Sequence, residues 1–402
     1  MRKLIGISLL LLLAVPCMAQ VFGDAGLDML MANLPQYCTV LDGATQYWSK
    51  ASPTGMDLNG AERITNANNR GFEVDKGEWA DAGTHSIVRS TTDKRTGTAS
   101  GKIVATGVGD ATTNYVTIAA STFTTLVLGE KYTVEIWATS ETATTTLTFV
   151  IGTQTKTSAT LSTTPGTFTK TVLNFQAAAG DLTQPLIVYL SKAATVYIDD
   201  VSLTQAKDAM FSVLVKPTSF NGAARSSIFS RSAAGASNGS FSLWDFNNIN
   251  MILDVRDAGG VVIQPVFATS LLPLNQWSLI QGTIDRTGNA TIYLNGVLKQ
   301  GLSIVTVGSV VATTTLYIGA VTESFTGSVG SIQFAVFNSL PSDIATTIAQ
   351  INATYKRNGL PKFYTGGTIV LDVDWSQQGY DKSGTGNSLT GTGSPQTTRV
   401  KY

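Results

Sequence analysis

One histidine, His85, and two cysteines, Cys17 and Cys38, are spread through 402 residues. A single imidazole excludes histidine-rich metal sites and leaves His85 as the one residue on which a histidine-dependent nucleophile triad could rest. Charge is also scarce. Only 13% of residues are Asp, Glu, Lys or Arg, and they balance to a formal net charge of zero. Without Lys/Arg clusters, a nucleic-acid partner held through its phosphates is excluded. No glycine-rich phosphate loop is present. Long helical periodicities are missing too, which excludes a helical bundle and a doubly wound α/β sheet.

What remains is Thr, Ser, Gly and Ala arranged in short alternating segments. Tyr132, Val134, Ile136 and Ala138 fall on one face of a strand, and Thr133, Glu135 and Trp137 on the other. Leu147–Ile151 and Leu186–Leu190 have similar length. Turn-forming Gly, Asn and Asp between such strands indicate β-sandwiches. Two helices are expected, over residues 24–34 and 342–356. In the second, Ile344, Ile348 and Ile351 recur near helical spacing, Ser342 or Asp343 caps the start, and Gly359 and Pro361 stop it.

Arg2 and Lys3 precede an apolar run ending at Ala14. The pattern predicts a secretory signal at residues 1–19, too short to favour a membrane span. Its removal would leave Cys38 alone, with no intrachain disulfide. Cys38 is then either a small buried apolar residue or a link between chains.

Residues 64–205 contain, in order, Ile64–Glu73 (ITNANNRGFE), Arg95–Lys102 (RTGTASGK), Leu128–Ser140 (LGEKYTVEIWATS) and Val196–Leu203 (VYIDDVSL). This succession resembles the carbohydrate-binding modules of families 4 and 9, within the galactose-binding-like jelly rolls. Tyr37–Tyr47, Phe211–Pro217, Trp277, the hairpin Ile284–Gly296, Leu316–Gly319 and Phe325–Ile332 form a second succession. It resembles laminin-G-like and concanavalin-like jelly rolls. The expected fold is therefore all-β: two jelly-roll β-sandwiches, one inserted into the other, with a short C-terminal helix in the host. The boundaries expected are 36–60 and 206–360 for the discontinuous host and 61–205 for the insert. Residues 361–402 form a C-terminal strand and tail that either extends the host or pairs with another chain.

The first resemblance implies a structural calcium held by Glu73, Ser100 and Asp199, tying the first strand to the last. The alternative is that Glu73 and Asp199 only accept hydrogen bonds from turn amides. Alternation places Trp137, Tyr189, Tyr115 and Glu135 away from the core. With Trp79, they are the candidate ligand-binding residues. Aromatic rings offer an apolar platform to the C–H face of a sugar, and Glu135 can accept from its hydroxyls. Equally, a loop or the host could cover Trp137. In the host, Asp245, Asp254 and Asp257 are the acids to inspect for a loop-rim site.

The hydrolases related to the host fold carry glutamates on one strand, and Leu371–Trp375 (LDVDW) lacks them. Asp199 and Asp200 are adjacent and so point to opposite faces, unsuited to one site. The expected protein is a secreted, non-catalytic glycan-binding or adhesion protein. Its partners would be glycans or polysaccharide, at the cell surface or free. The alternative is a structural or decoration protein of a cell-surface layer, appendage or virion, acting through protein contacts.

Overall fold

The computed structural model describes residues 36–42, 47–51, 53, 56–141, 145–220, 225–231, 238–310, 315–319, 325–358, 368–374, 380–381, 389–392 and 396–400. The signal-like residues 1–19 and the helix expected over 24–34 lie outside them, as does the Cys38 side chain. Among the described residues the protein is all-β, organised in three sheets, with one long helix.

The first sheet runs in order through Val297–Ser303, Asn289–Leu294, Ser278–Ile284, Asp208–Pro217, Thr326–Phe337, Gln36–Asp42 and Gln396–Val400. The second runs from Val262–Ile263 through Asn250–Arg256, Phe241–Phe246, Arg225–Ser230, Leu316–Ile318 and Tyr47–Lys50 to Thr390–Thr392. The two enclose one core, in which Phe211 and Val213 of the first sheet meet Phe241, Leu243 and Leu253 of the second. Phe241 stacks on Phe334 with ring centroids 4.8 Å apart. The chain's last strands close beside its first. Gln396–Val400 pairs with Gln36–Asp42, and Thr390–Thr392 with Tyr47–Lys50.

The helix Ile344–Asn358 covers the outer face of the first sheet. Ile348 and Ile351 pack on Met210, Leu214, Leu279, Tyr293, Ala335 and Phe337, with Trp277 and Ile344 at the edge. The hairpin before it turns where its residues demand. Asp285 and Gly288 close the first turn, and Asn295 and Gly296 take φ of 51° and 79° at the second.

The third sheet draws all its strands from Asn59–Ala206. Its order is Gln154–Thr157, Leu147–Ile151, Leu186–Leu190, Tyr115–Ile118, Ala80–Ala82, His85–Ser90, Ser100–Ala105, Ala194–Ala206, Lys131–Ser140 and Thr169–Gln176. The sheet folds over at Ala80–Ala82, and its two halves share a core. Val116, Phe149, Leu186 and Val188 of one half meet Ile103, Val134, Ile136 and Ile198 of the other. Each half thus keeps one outward face, and the two outward faces have different fates.

Candidate functional site

The half containing Lys131–Ser140 turns its outward face to the other two sheets. Glu135 is buried and accepts from the Ser309 amide. Asn174 donates to the Val305 and Val307 carbonyls at 3.2 and 2.9 Å. Lys170 pairs with the buried Asp257, whose carboxylate also accepts from the Gly308 amide at 2.8 Å. Lys131 bridges Asp208 and Asp285, each at 2.6 Å. At the centre lies Arg286, wholly buried at the tip of the Asp285–Asn289 turn. It donates to the Thr133 hydroxyl and the Val307 carbonyl, both at 3.2 Å, and to the Gly308 carbonyl. Burial lowers the Arg286 pKa to about 10, against the pull of Glu135, Asp208 and Asp257.

Trp137 belongs to this docked face. The Arg95 guanidinium lies 3.7 Å from the centre of its ring, and Lys170 lies 5.7 Å away. A β-carbon on Gly259 would sit 3.1 Å from the ring. Glu135, expected to face a ligand, is therefore occupied by the Ser309 amide, and Trp137 sits half-buried between Arg95 and Lys170 of its own unit and Gly259 of the neighbouring one. Trp79 departs from expectation differently. It is in the core, stacked on Phe72 with centroids 6.0 Å apart, and its indole donates to the Asn69 carbonyl at 2.9 Å.

Tyr115 and Tyr189 lie on the other outward face, both half-buried. The register that sets Val188 opposite Val116 brings these two rings to neighbouring strands on one side. Around them the outward positions are Ala80, Ala82, Thr117, Ile187, Thr155 and Thr157, with Thr148 and Val150 on the same side but buried. None carries a charge. The 106–114 loop borders the platform. A β-carbon on Gly109 would meet Tyr189 Cβ at 2.7 Å, so the backbone passes tightly against the root of that side chain. Asp110 knots this loop by accepting from the amides of Thr112 and Thr113 at 2.7 and 2.6 Å, and their hydroxyls hold its carboxyl far below the usual range.

His85 fastens the platform from behind. It is buried, its Nε2 accepts from the Leu190 amide at 3.2 Å, and Thr84 Oγ1 lies 3.2 Å from Nδ1. Burial lowers its pKa from 6.5, opposed by Asp110. The folded state therefore binds this proton less readily than the unfolded chain. The stability it contributes is complete above pH 6.5 and is lost as pH falls through the folded value. We expect melting temperature to fall by about a few degrees on acidification, and His85→Gln, which keeps an acceptor, to flatten that dependence. An unchanged pH profile in the variant would remove His85 from this role.

The calcium candidates converge on one turn. Asp199 Oδ2 accepts from the amides of Arg95 and Thr96 at 2.9 and 3.1 Å. Glu73 accepts from the amide and hydroxyl of Thr98 at 2.9 and 2.6 Å. The Ser100 hydroxyl donates to the Asp93 carbonyl. Asp200 does not point away from Asp199 as the alternation predicts. A register shift between Asp199 and Ser202, with Asp200 at φ 47°, brings both carboxylates to the same turn, where Asp200 pairs with Arg95. Burial pushes Asp199 up to about 6, against the amides that stabilise its anion. Among the described residues, no three His, Cys, Asp or Glu gather as a metal-binding group. Asp245, Asp254 and Asp257 likewise do not form one. Burial pushes Asp245 up to about 6, Asp254 pairs with Arg256 at 2.8 Å, and Asp257 is held by Lys170.

No helix among the described residues is long and apolar enough to cross a membrane. No curated protein matches the chain. Among solved structures, the binding domain of botulinum neurotoxin serotype D aligns at 19% identity and a TM-score of 0.30, over 37% of this chain. The chain covers 36% of that structure, about a third of its length. The CBM22-1 xylan-binding domain from Paenibacillus barcinonensis Xyn10C aligns at 12% identity and a TM-score of 0.27, over 34% of this chain and 92% of that domain. The matched family is identified from sequence: residues 190–342, which carry most of the helix-backed sandwich, match the concanavalin A-like lectin/glucanases superfamily.

Proposed function

We propose that the chain is a secreted, non-catalytic carbohydrate-binding protein, and that its ligand face is the Tyr115/Tyr189 platform. The observation that carries this is the division of the two outward faces. One is consumed by docking, while the other keeps two half-buried tyrosines on adjacent strands amid Thr and apolar positions. Such a surface offers stacking area and hydroxyls without charge, which suits a neutral glycan and makes binding insensitive to salt. The lectin-type family match over 190–342 supports the same class of ligand. A glycan and polysaccharide screen on the purified chain at low and high salt tests the reading.

A second reading, contact with another protein, draws on one rim of the helix-backed sandwich. Phe246, Ile249 and Leu271 are 38%, 61% and 50% exposed there. The Thr269 amide donates to the Ile249 carbonyl at 2.9 Å, which ties two of the loops together. No charged residue occurs from 258 to 284. A folded chain that binds no glycan yet associates in sedimentation would favour it.

Calcium is part of the proposal. Glu73 and Asp199 would hold it, with oxygens of the turn that ends at Ser100. Glu73 and Asp199 supply the hard oxygens such a cation takes; each now accepts from amides of this turn, which calcium would displace, while Asp200 pairs there with Arg95. Binding requires ionised carboxylates, and Asp199 takes up its proton near pH 6. Millimolar calcium is therefore expected to raise the melting temperature over chelator by about 5 °C at neutral pH, fading as pH falls through about 6. Identical melts with calcium and chelator would leave the two carboxylates as acceptors for turn amides.

A further inference from the structure

Lys131 is buried to 4% exposure of its side chain, and its nitrogen lies 2.6 Å from two carboxylates, the fully buried Asp208 and the partly open Asp285. Lys131 and Asp208 belong to different cores and are separated by 77 positions in sequence. The Asp208 carboxyl also receives two backbone amides, from Arg286 on Oδ1 at 2.8 Å and from Leu340 on Oδ2 at 2.7 Å. An ion pair this deeply buried gives up much of its hydration and recovers it only in part.

We propose that Lys131 and Asp208 condense into an intramolecular amide, with Asp285 as the proton-transfer group, joining the two parts of the chain covalently. Each requirement of the reaction has a residue. The Lys131 ammonium passes a proton by way of Asp285 to Asp208, freeing the amine as nucleophile and giving Asp208 its acid form. The amine attacks Cγ of Asp208 in its acid form, and the Arg286 and Leu340 amides steady the oxygens of the tetrahedral centre. The carbon–nitrogen bond forms as a carbon–oxygen bond breaks. The nitrogen passes its second proton to Asp285, which hands it to the departing hydroxyl, and water leaves. An ammonium and a carboxylate thus become an amide and one water, with no oxidant, reductant or cofactor.

The protonation preferences agree with these roles. Burial raises the Asp208 pKa against the pull of Lys131, so this carboxyl accepts a proton readily. Burial acts in the same direction on Asp285, but Lys131 and Thr287 outweigh it and lower its pKa, so Asp285 rests as an anion and holds a proton only in passing between Lys131 and Asp208. The other buried lysine pair, Lys170 with Asp257, has no second carboxylate on its nitrogen among the described residues.

The test is the mass of the full-length chain after denaturation, read against its own sequence, followed by peptide mapping. The expected mass is lower than calculated by one water. Trypsin is expected to leave Lys131 uncut, and one branched peptide should join the Lys131 and Asp208 segments. Asp285→Asn, at a partly exposed side chain, is expected to show its full calculated mass and to lose the branched peptide. A wild-type chain at its calculated mass and cut at Lys131 overturns the proposal, and so does a link mapped to any other pair. Unchanged cross-linking in Asp285→Asn overturns the role given to Asp285.

Discussion

Arg286→Ala is expected to destabilise the protein by on the order of 3–5 kcal/mol, the scale for removing one member of a buried charge group. The guanidinium has no exposed surface, and three acids, Glu135, Asp208 and Asp257, act on it electrostatically. Alanine would leave these acids with less positive charge in a site that water does not reach, and would strand the Val307 and Gly308 carbonyls that Arg286 now satisfies. Because Arg286 ties the hairpin tip to Thr133 on the third sheet, the loss should fall on docking. Calorimetry of the wild type should show one transition, and Arg286→Ala should show two, the earlier about 10 °C or more below the original. Arg286→Lys should fall between them, since it keeps the charge but not the planar fork. A variant melting as one transition within about a degree of wild type would show that Arg286 does not hold the two cores together.

The same hairpin shows what could be read in the sequence. Its turns were legible because Asp285, Gly288, Asn295 and Gly296 act on their own backbone, whatever surrounds them. The all-β class and the helix bearing Ile344, Ile348 and Ile351 were legible for a related reason, since periodicity reports which face is apolar. Periodicity does not report what covers the opposite face. Arg286 read only as one residue of a turn, and its burial depends on a partner surface 153 positions away in the chain. Trp137 and Tyr189 were equivalent by alternation and are alike half-buried, yet one meets Gly259 of the neighbouring unit and the other the Gly109 backbone of its own. Trp79 was misplaced because a single aromatic between turns has no alternating neighbours to orient it. Asp199 and Asp200 were separated by a rule that holds for regular strands and fails at the bulge that carries them.

That ambiguity makes the ligand face the sharpest point at which to test the function. On a glycan identified by screening, Tyr115→Ala and Tyr189→Ala are each expected to weaken binding about tenfold, near 1.4 kcal/mol, the scale of one aromatic contact. The double variant should lose measurable binding, because the two rings sit side by side and form one platform. Melting temperature should move little in either single variant, since neither ring belongs to a hydrophobic core. Trp137→Ala should do the reverse. It removes the ring under Arg95 and beside Gly259, so stability falls while affinity for the glycan stays. Titration calorimetry and thermal melts on the same three variants separate the two effects. If Trp137→Ala abolished binding in a protein that still melts like wild type, while the tyrosine variants bound normally, the ligand would have to enter at the docked face. Glycan recognition would then require the two cores to part. The buried network of Lys131, Lys170, Arg286 and their carboxylates argues against that motion, because each pair would have to separate before the ligand could arrive.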